Sequence, residues 1–244
     1  MNLFPVVILA GGLATRLRPL TNSIPKSMVI IGGEPFIAHQ LRLLQRNGIR
    51  KVVLCIGYLG EQIIDFVSTG HQFGIEVSYC PDGPTLLGTG GAIKQALPLL
   101  DECFFVLYGD SYLPCHYAAI QRHFLATQKL AMMTVFHNQG QWDKSNVEFT
   151  DNTILAYDKQ VQTNRMHYID YGLGIFTHQA FTYLTGANYN LAQLYQELLA
   201  QQQLAAFEVT ERFYEAGSFT GIQELEQYLA QKQIISKGSV DSLL

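Results

Sequence analysis

"VVILAGGLATRLRPLTNSIPKSM" spans Val6–Met28, and its change of character decides the fold. It predicts a buried strand over Val6–Ala10. A glycine pair follows at once, Gly11–Gly12. Then come Arg16, Arg18 and Lys26, with two prolines and no carboxylate; the first acidic residue of the chain is Glu34. A buried strand that runs straight into glycines can turn tightly and point backbone N–H groups at an anion. Arginines there can neutralise phosphate oxygens in bidentate geometry. Pro25 restricts the backbone ahead of Lys26. The spacing is neither G-x-x-x-x-G-K-[ST] nor G-x-G-x-x-G, which removes a Walker phosphate loop and a nicotinamide dehydrogenase.

The rest of the composition fits that opening. The chain has 244 residues, 48% hydrophobic and 15% charged, enough to bury a large core. With a net charge of −4 and no basic run, it offers nucleic acid no surface. No apolar run reaches membrane-span length. "MNLFPVVILA" lacks the basic start of a signal peptide, so it reads as the first strand of a cytoplasmic protein. Cys55, Cys80, Cys103 and Cys115 show no C-x-x-C spacing, and the seven histidines form no H-x-H or H-x-x-x-H pair, which excludes a zinc site. Cys55 and Cys103 sit in strand-like runs as core thiols.

Strand-length apolar runs at 51–57, 75–80, 104–108 and 131–137 alternate with helical patterns at 35–47, 61–67, 92–97 and 117–127. That alternation predicts an α/β fold with a mostly parallel sheet and helices on both faces. Beyond about residue 138 the texture changes to short strands ("NVEF", "ILAYD", "YIDYGLGIF") and further helices at 191–202 and 222–233. We read one domain over 1–244, with a nucleotide-binding half to about 137 and an acceptor-binding half after it.

Two more motifs stand at the ends of predicted strands, where ligands collect in open α/β sheets. "DGPTLLGTGGAI" (Asp82–Ile93) places Gly88, Gly90 and Gly91 where a ring or ribose can approach the backbone. "FFVLYGDS" (Phe104–Ser111) ends a buried strand in Gly-Asp, which puts a carboxylate at the sheet edge. One carboxylate with substrate phosphates suits Mg²⁺, which keeps several of its waters.

Together these residues resemble the sugar-1-phosphate nucleotidylyltransferases. That family's pattern runs L-A-G-G-x-G-T-R-L-x-P-L-T, then P-K-x-M; this sequence departs from it at Ala14, where glycine is usual. The resemblance is to its compact members, of heptose-phosphate guanylyltransferase-like and muramate-phosphate uridylyltransferase-like type. It implies a Rossmann-like (GT-A-like) mixed sheet and a Mg²⁺-dependent transfer between a nucleoside triphosphate and a sugar 1-phosphate. Leu9, Ala10, Gly11, Gly12, Ala14 and Thr15 would wrap the triphosphate, with Arg16 on its outer phosphates and Lys26 on the reacting ones. Asp82, Gly88, Thr89 and Gly90 would lie against the nucleoside. Asp110 would hold the metal. For the second metal carboxylate, "RFYEAGSFTGI" (Arg212–Ile222) offers Glu215 where aspartate is usual, with Glu211 as its local competitor. For the acceptor, the resemblance implies Glu148 on sugar hydroxyls, Lys159 on the sugar phosphate, and Asp170, Tyr171 and Gly172 beside the sugar. Asp170 replaces a family asparagine, a donor exchanged for an acceptor. A cytidylyltransferase acting on a small phosphorylated alcohol or amine shares this loop, as does a nucleotide-sensing module without turnover.

Overall fold

Val6, Val7 and Ile8 are wholly buried because β1 (Val6–Leu9) runs through the middle of a sheet covered on both faces. The structure, a computed structural model, describes residues 2–12, 15–83, 87–183 and 189–241. After β1 come β2 (Ile30–Ile31), β3 (Glu34–Pro35), α1 (Phe36–Arg46), β4 (Lys51–Ile56), α2 (Gly60–Val67) and β5 (Glu76–Pro81). Then follow α3 (Gly88–Ala96), β6 (Cys103–Tyr108), β7 (Ser111–Tyr112), α4 (Tyr117–Thr127), β8 (Ala131–His137), β9 (Val147–Thr150) and β10 (Thr153–Tyr157). The chain continues through β11 (Tyr168–Thr177), α5 (Leu191–Ala200), β12 (Leu204–Val209), β13 (Tyr214–Glu215) and α6 (Phe219–Asp241).

The main path of the sheet is β12-β8-β11-β6-β1-β4-β5, with β9 and β10 joined at the start of β11. It is the mixed, mostly parallel sheet that the alternating pattern predicts. β6, β1, β4 and β5 are parallel throughout, and β12 is parallel to β8; the antiparallel pairings are those of β11 with β6, β8 and β9, and of β9 with β10. After β1 the chain moves outward through β4 and β5, then returns to the other side of β1 as β6. That reversal leaves a crevice at the carboxyl ends of β1 and β6, where this class of sheet binds ligands.

Alternate residues of each strand feed two cores. Val6, Ile8, Val52 and Leu54 pack with Leu41 and Leu44 of α1, Ile63 of α2 and Ile120 of α4. Val7, Val53, Phe104 and Val106 pack on the other face with Ile93 of α3 and Leu194 of α5. A third cluster joins Leu17, Ile31 and Phe36 to Tyr112, Ala216 and Leu225. It fastens the amino-terminal loop to the strand pair β7–β13 and to α6. Phe105 is fully buried, with its ring centroid 5.4 Å from that of Tyr117 and 6.1 Å from that of Phe4. Phe105→Ala will lower stability by roughly 3–5 kcal/mol, since lost transfer energy and a residual cavity add. The expected readout is a lower urea midpoint at an unchanged slope.

The helix expected from Ala92 starts four residues earlier, at Gly88. Tertiary contact overrides the glycine penalty there. The Tyr189 carbonyl accepts the Gly90 N–H at 3.0 Å, and a Cβ on Gly90 would stand 2.6 Å from the Tyr189 ring. The helix expected from Ile222 likewise begins earlier, at Phe219.

Candidate active site

The turns that follow β1, β5 and β6 meet at one edge of the sheet. Between them lies a cavity of about 300 Å³. Its walls include Leu9, Ala10, Gly11 and Gly12 on one side, and Asp82, Gly88 and Thr89 on another. Lys26, Tyr108 and Asp110 close a third side. Gly11 packs closely: a Cβ there would stand 2.9 Å from Asp82 Oδ2 and 3.3 Å from Gly57 N, so the Asp82 carboxylate would have to turn aside. Burial in that contact raises the Asp82 carboxyl above the usual aspartate range. Around Gly12 the space is open.

Of the loop's cations, Lys26 reaches the centre. It begins a short 3₁₀ turn after Pro25, whose extended backbone breaks the preceding path. Its ammonium lies 2.5 Å from Asp110 Oδ2. Arg16 and Arg18 are exposed. Ala14 lies outside the described residues.

Asp110 is held from two directions. Gln40, a buried polar residue on α1, donates through Nε2 to Tyr108 O at 3.2 Å and to Ser111 O at 2.8 Å. Those bonds clamp the turn that carries Gly109–Asp110. The sequence signal for Gln40 was an amide on the apolar face of a helix. On the other side, Ala216 N–H donates to Asp110 O at 2.7 Å, and β13 pairs antiparallel with β7 so that Glu215 faces Ser111. Glu215 accepts hydrogen bonds from Gly217 N–H and the Ser218 hydroxyl, which aim its carboxylate inward. A Cβ on Gly217 would press on Glu215 Oε2 and stand 2.7 Å from Lys26 Nζ and 3.1 Å from Asp110 Oδ2. Two carboxylates and one ammonium thus converge on one point. Glu211 points elsewhere, with Oε1 3.8 Å from His116 Nε2. Among the described residues, no three His, Cys, Asp or Glu side chains gather into a metal-binding group.

A second cavity, about 490 Å³, adjoins the first and shares Thr89 and Tyr108 with it. Lys159, Asn190, Gln193 and Gln196 also line it. The Lys159 ammonium sits 3.2 Å from Asp170 Oδ2, 3.3 Å from Tyr108 Oη and 4.8 Å from the centre of the Tyr108 ring. Burial opposes its charge, but the Asp170 carboxylate and Tyr108 more than offset burial, so Lys159 is held above the ordinary lysine range. Burial pushes the Tyr108 phenol up to about 12, so it stays protonated. Tyr108, the last residue of an apolar strand, carried no polar signal in the sequence.

The acceptor residues expected from the sequence do not share one face. Asp170 is almost fully enclosed and bonds inward, to Lys159 and to the Tyr157 hydroxyl at 3.3 Å. Tyr171 is buried against Phe136 and Phe213, so its side chain belongs to the core rather than to a sugar face. Gly172 takes φ +95° inside a break in the β11–β8 register between Asp170 and Gly174, and its N–H donates to Asp170 Oδ1 at 3.1 Å. Glu148 pairs with the exposed Arg165 at 3.2 Å.

A family model for nucleotidyl transferases matches residues 5–214. The chain belongs to the nucleotidyl transferase family. Within that family it is 39% identical, over 105 residues, to an N-acetylmuramate alpha-1-phosphate uridylyltransferase of Neisseria meningitidis; the match covers 43% of this chain and 46% of that protein. It is 37% identical over 106 residues to a D-glycero-alpha-D-manno-heptose 1-phosphate guanylyltransferase of Campylobacter jejuni, covering 43% and 47%. The chain thus spans about half the length of these curated relatives. The crystal structure of HddC from Yersinia pseudotuberculosis superposes with a TM-score of 0.77 at 24% identity, over 93% of this chain and 99% of that one. The same protein has been solved with GMP-PN. Among the described residues, no helix is long and apolar enough to cross a membrane.

Proposed function

We propose that this protein joins a sugar 1-phosphate to a nucleoside triphosphate, giving a nucleotide sugar and pyrophosphate. The observation that carries the reading is the convergence of Lys26, Asp110 and Glu215 at the wall of a cavity built on the Gly11–Gly12 turn. The family match and the names of the relatives support it. The nucleoside lies in the first cavity, against Gly88 and Thr89. The acceptor lies in the second, its phosphate toward Lys159. Tyr108 and Thr89, shared by both cavities, form the border at which the two substrates meet.

The chemical difficulty is bringing two anions together. A sugar phosphate already carries the charge of a nucleophile, so an in-line attack on the α-phosphorus needs no covalent intermediate. The protein contributes positioning and charge neutralisation. Lys26 supplies one cation to the reacting phosphates, Lys159 another to the acceptor phosphate, and Arg16 a third to the outer phosphates. Asp110 and Glu215 fit Mg²⁺, because one or two carboxylates with substrate phosphates satisfy an ion that retains its waters. When bound there, Mg²⁺ would neutralise further phosphate charge.

The test is a grid of the common nucleoside triphosphates against sugar 1-phosphates and phosphocholine-like acceptors, read as pyrophosphate release. One productive pair is expected, with turnover lost on chelation and restored by added Mg²⁺. Turnover only with a non-sugar acceptor would replace the sugar in this reading. Tight calorimetric binding of a triphosphate with no pyrophosphate from any pair would remove the catalytic assignment.

A further inference from the structure

Cys55 and Cys80 are Cα partners on the parallel strands β4 and β5. Both side chains therefore leave the sheet on the same face, into the core beneath α3. Hydrogen-bonded neighbouring strands lie about 4.8 Å apart, inside the roughly 4.4–6.8 Å Cα separation that a disulfide spans. Cys55 Sγ lies 3.6 Å from Ala92 O and lines the first cavity. All four cysteines are free thiols, but their surroundings differ. The neighbouring Cys55 sulfur, reinforced by Gln95 and opposed by burial, draws the Cys80 thiol below the ordinary cysteine range. Burial pushes Cys115 up to about 12 and raises Cys103. Cys80 also keeps a small exposure, 6%, against 1% for Cys55.

We propose that Cys55 and Cys80 form a modification site, a thiol pair that a small hydroperoxide converts to a disulfide. The Cys80 thiolate attacks one peroxide oxygen and breaks the O–O bond. This gives a sulfenic acid on Cys80 and hydroxide, or alkoxide from an organic hydroperoxide. The Cys55 sulfur then attacks the Cys80 sulfur and forms the S–S bond. The sulfenic hydroxyl leaves with the Cys55 proton as water. Two thiols lose two electrons and two protons; hydrogen peroxide accepts them and becomes two waters. The product ties β4 to β5 and withdraws the thiol proton that faces Ala92 O, at the wall of the nucleotide cavity. The proposal stands on the placement of the two thiols and not on the transferase reading.

The test reads mass rather than turnover. The intact chain is exposed to hydrogen peroxide, quenched, denatured and alkylated. One tryptic peptide, 52–94, carries both cysteines and no other. Its expected product is two hydrogens lighter and unalkylated, and dithiothreitol restores alkylation. It should form at least about tenfold faster than Cys103 or Cys115 is lost, because reactivity follows thiolate fraction and access. In Cys55→Ser, dimedone should trap a sulfenic acid on Cys80. The proposal is overturned if both cysteines of that peptide remain alkylatable while Cys103 or Cys115 oxidises. It is equally overturned if peroxide leaves Cys80 untouched in a folded Cys55→Ser protein.

Discussion

Asp110→Asn will lower the rate of pyrophosphate release by roughly 10²–10³-fold, the usual cost of removing one preorganised electrostatic group. The substitution keeps the shape and removes the charge. Asp110 is the carboxylate nearest Lys26, at 2.5 Å, and its turn is fixed by Gln40 and by Ala216. The folded state should scarcely notice. Both partners of the Lys26–Asp110 pair are partly exposed, and such pairs contribute at most about 1 kcal/mol. Activity and stability are therefore expected to separate, with turnover collapsing and the unfolding midpoint nearly unchanged. Lys26→Ala should fall in the same range, since it would withdraw the cation proposed for the reacting phosphates. The double variant should lose less than the product of the two single losses, because groups in contact do not act independently. Turnover within about threefold of the parent in a folded Asp110→Asn protein, far from the loss expected of such a group, would remove this residue from the reaction.

The second large effect discriminates two glutamates four residues apart. Glu215→Gln is expected to reduce turnover by roughly 10²-fold and to raise the Mg²⁺ concentration needed for half-maximal rate, because a neutral amide is a poor ligand for a hard cation. Its amide oxygen can still accept from Gly217 N–H, while the amide nitrogen takes the other oxygen's place and donates to the Ser218 hydroxyl oxygen, so the local turn persists. Glu211→Gln should stay within about twofold, as surface changes away from a site usually do. That carboxylate faces His116 rather than Lys26. A reversal of the two results would transfer the proposed ligand role to Glu211. Steady-state kinetics against a Mg²⁺ series, on variants with matched unfolding curves, provides the measurement.

Several features could be read from neighbouring residues alone. Val6–Leu9 and Cys103–Tyr108 are continuous apolar runs, and both faces of a central parallel strand are buried. A glycine pair after one and Gly-Asp after the other mark strand ends that carry no further core. The early start of α3 was hidden, because the group that favours it, Tyr189, lies about a hundred residues downstream. The surroundings of the acceptor-side residues were hidden for a related reason. Strict alternation along β11 puts Tyr171 on the face of Leu173 and Ile175, in one core, and Asp170 on the opposite face, but it does not say what that face meets. Lys159 and Tyr157, from other segments, meet Asp170 there, and it becomes the buried counter-ion of Lys159.

The α/β alternation, the buried strands, and the placing of glycines and charges at their ends are all local, since they follow from residue types within one strand or turn. Which charges meet depends on how distant segments pack. Lys26 and Asp110 are 84 residues apart, and Glu215 joins them through a two-residue strand pairing and a single backbone hydrogen bond from Ala216. Closing loops of that length is governed by the packing of the whole sheet and leaves almost no local trace, because its entropic cost grows only slowly with the number of residues enclosed.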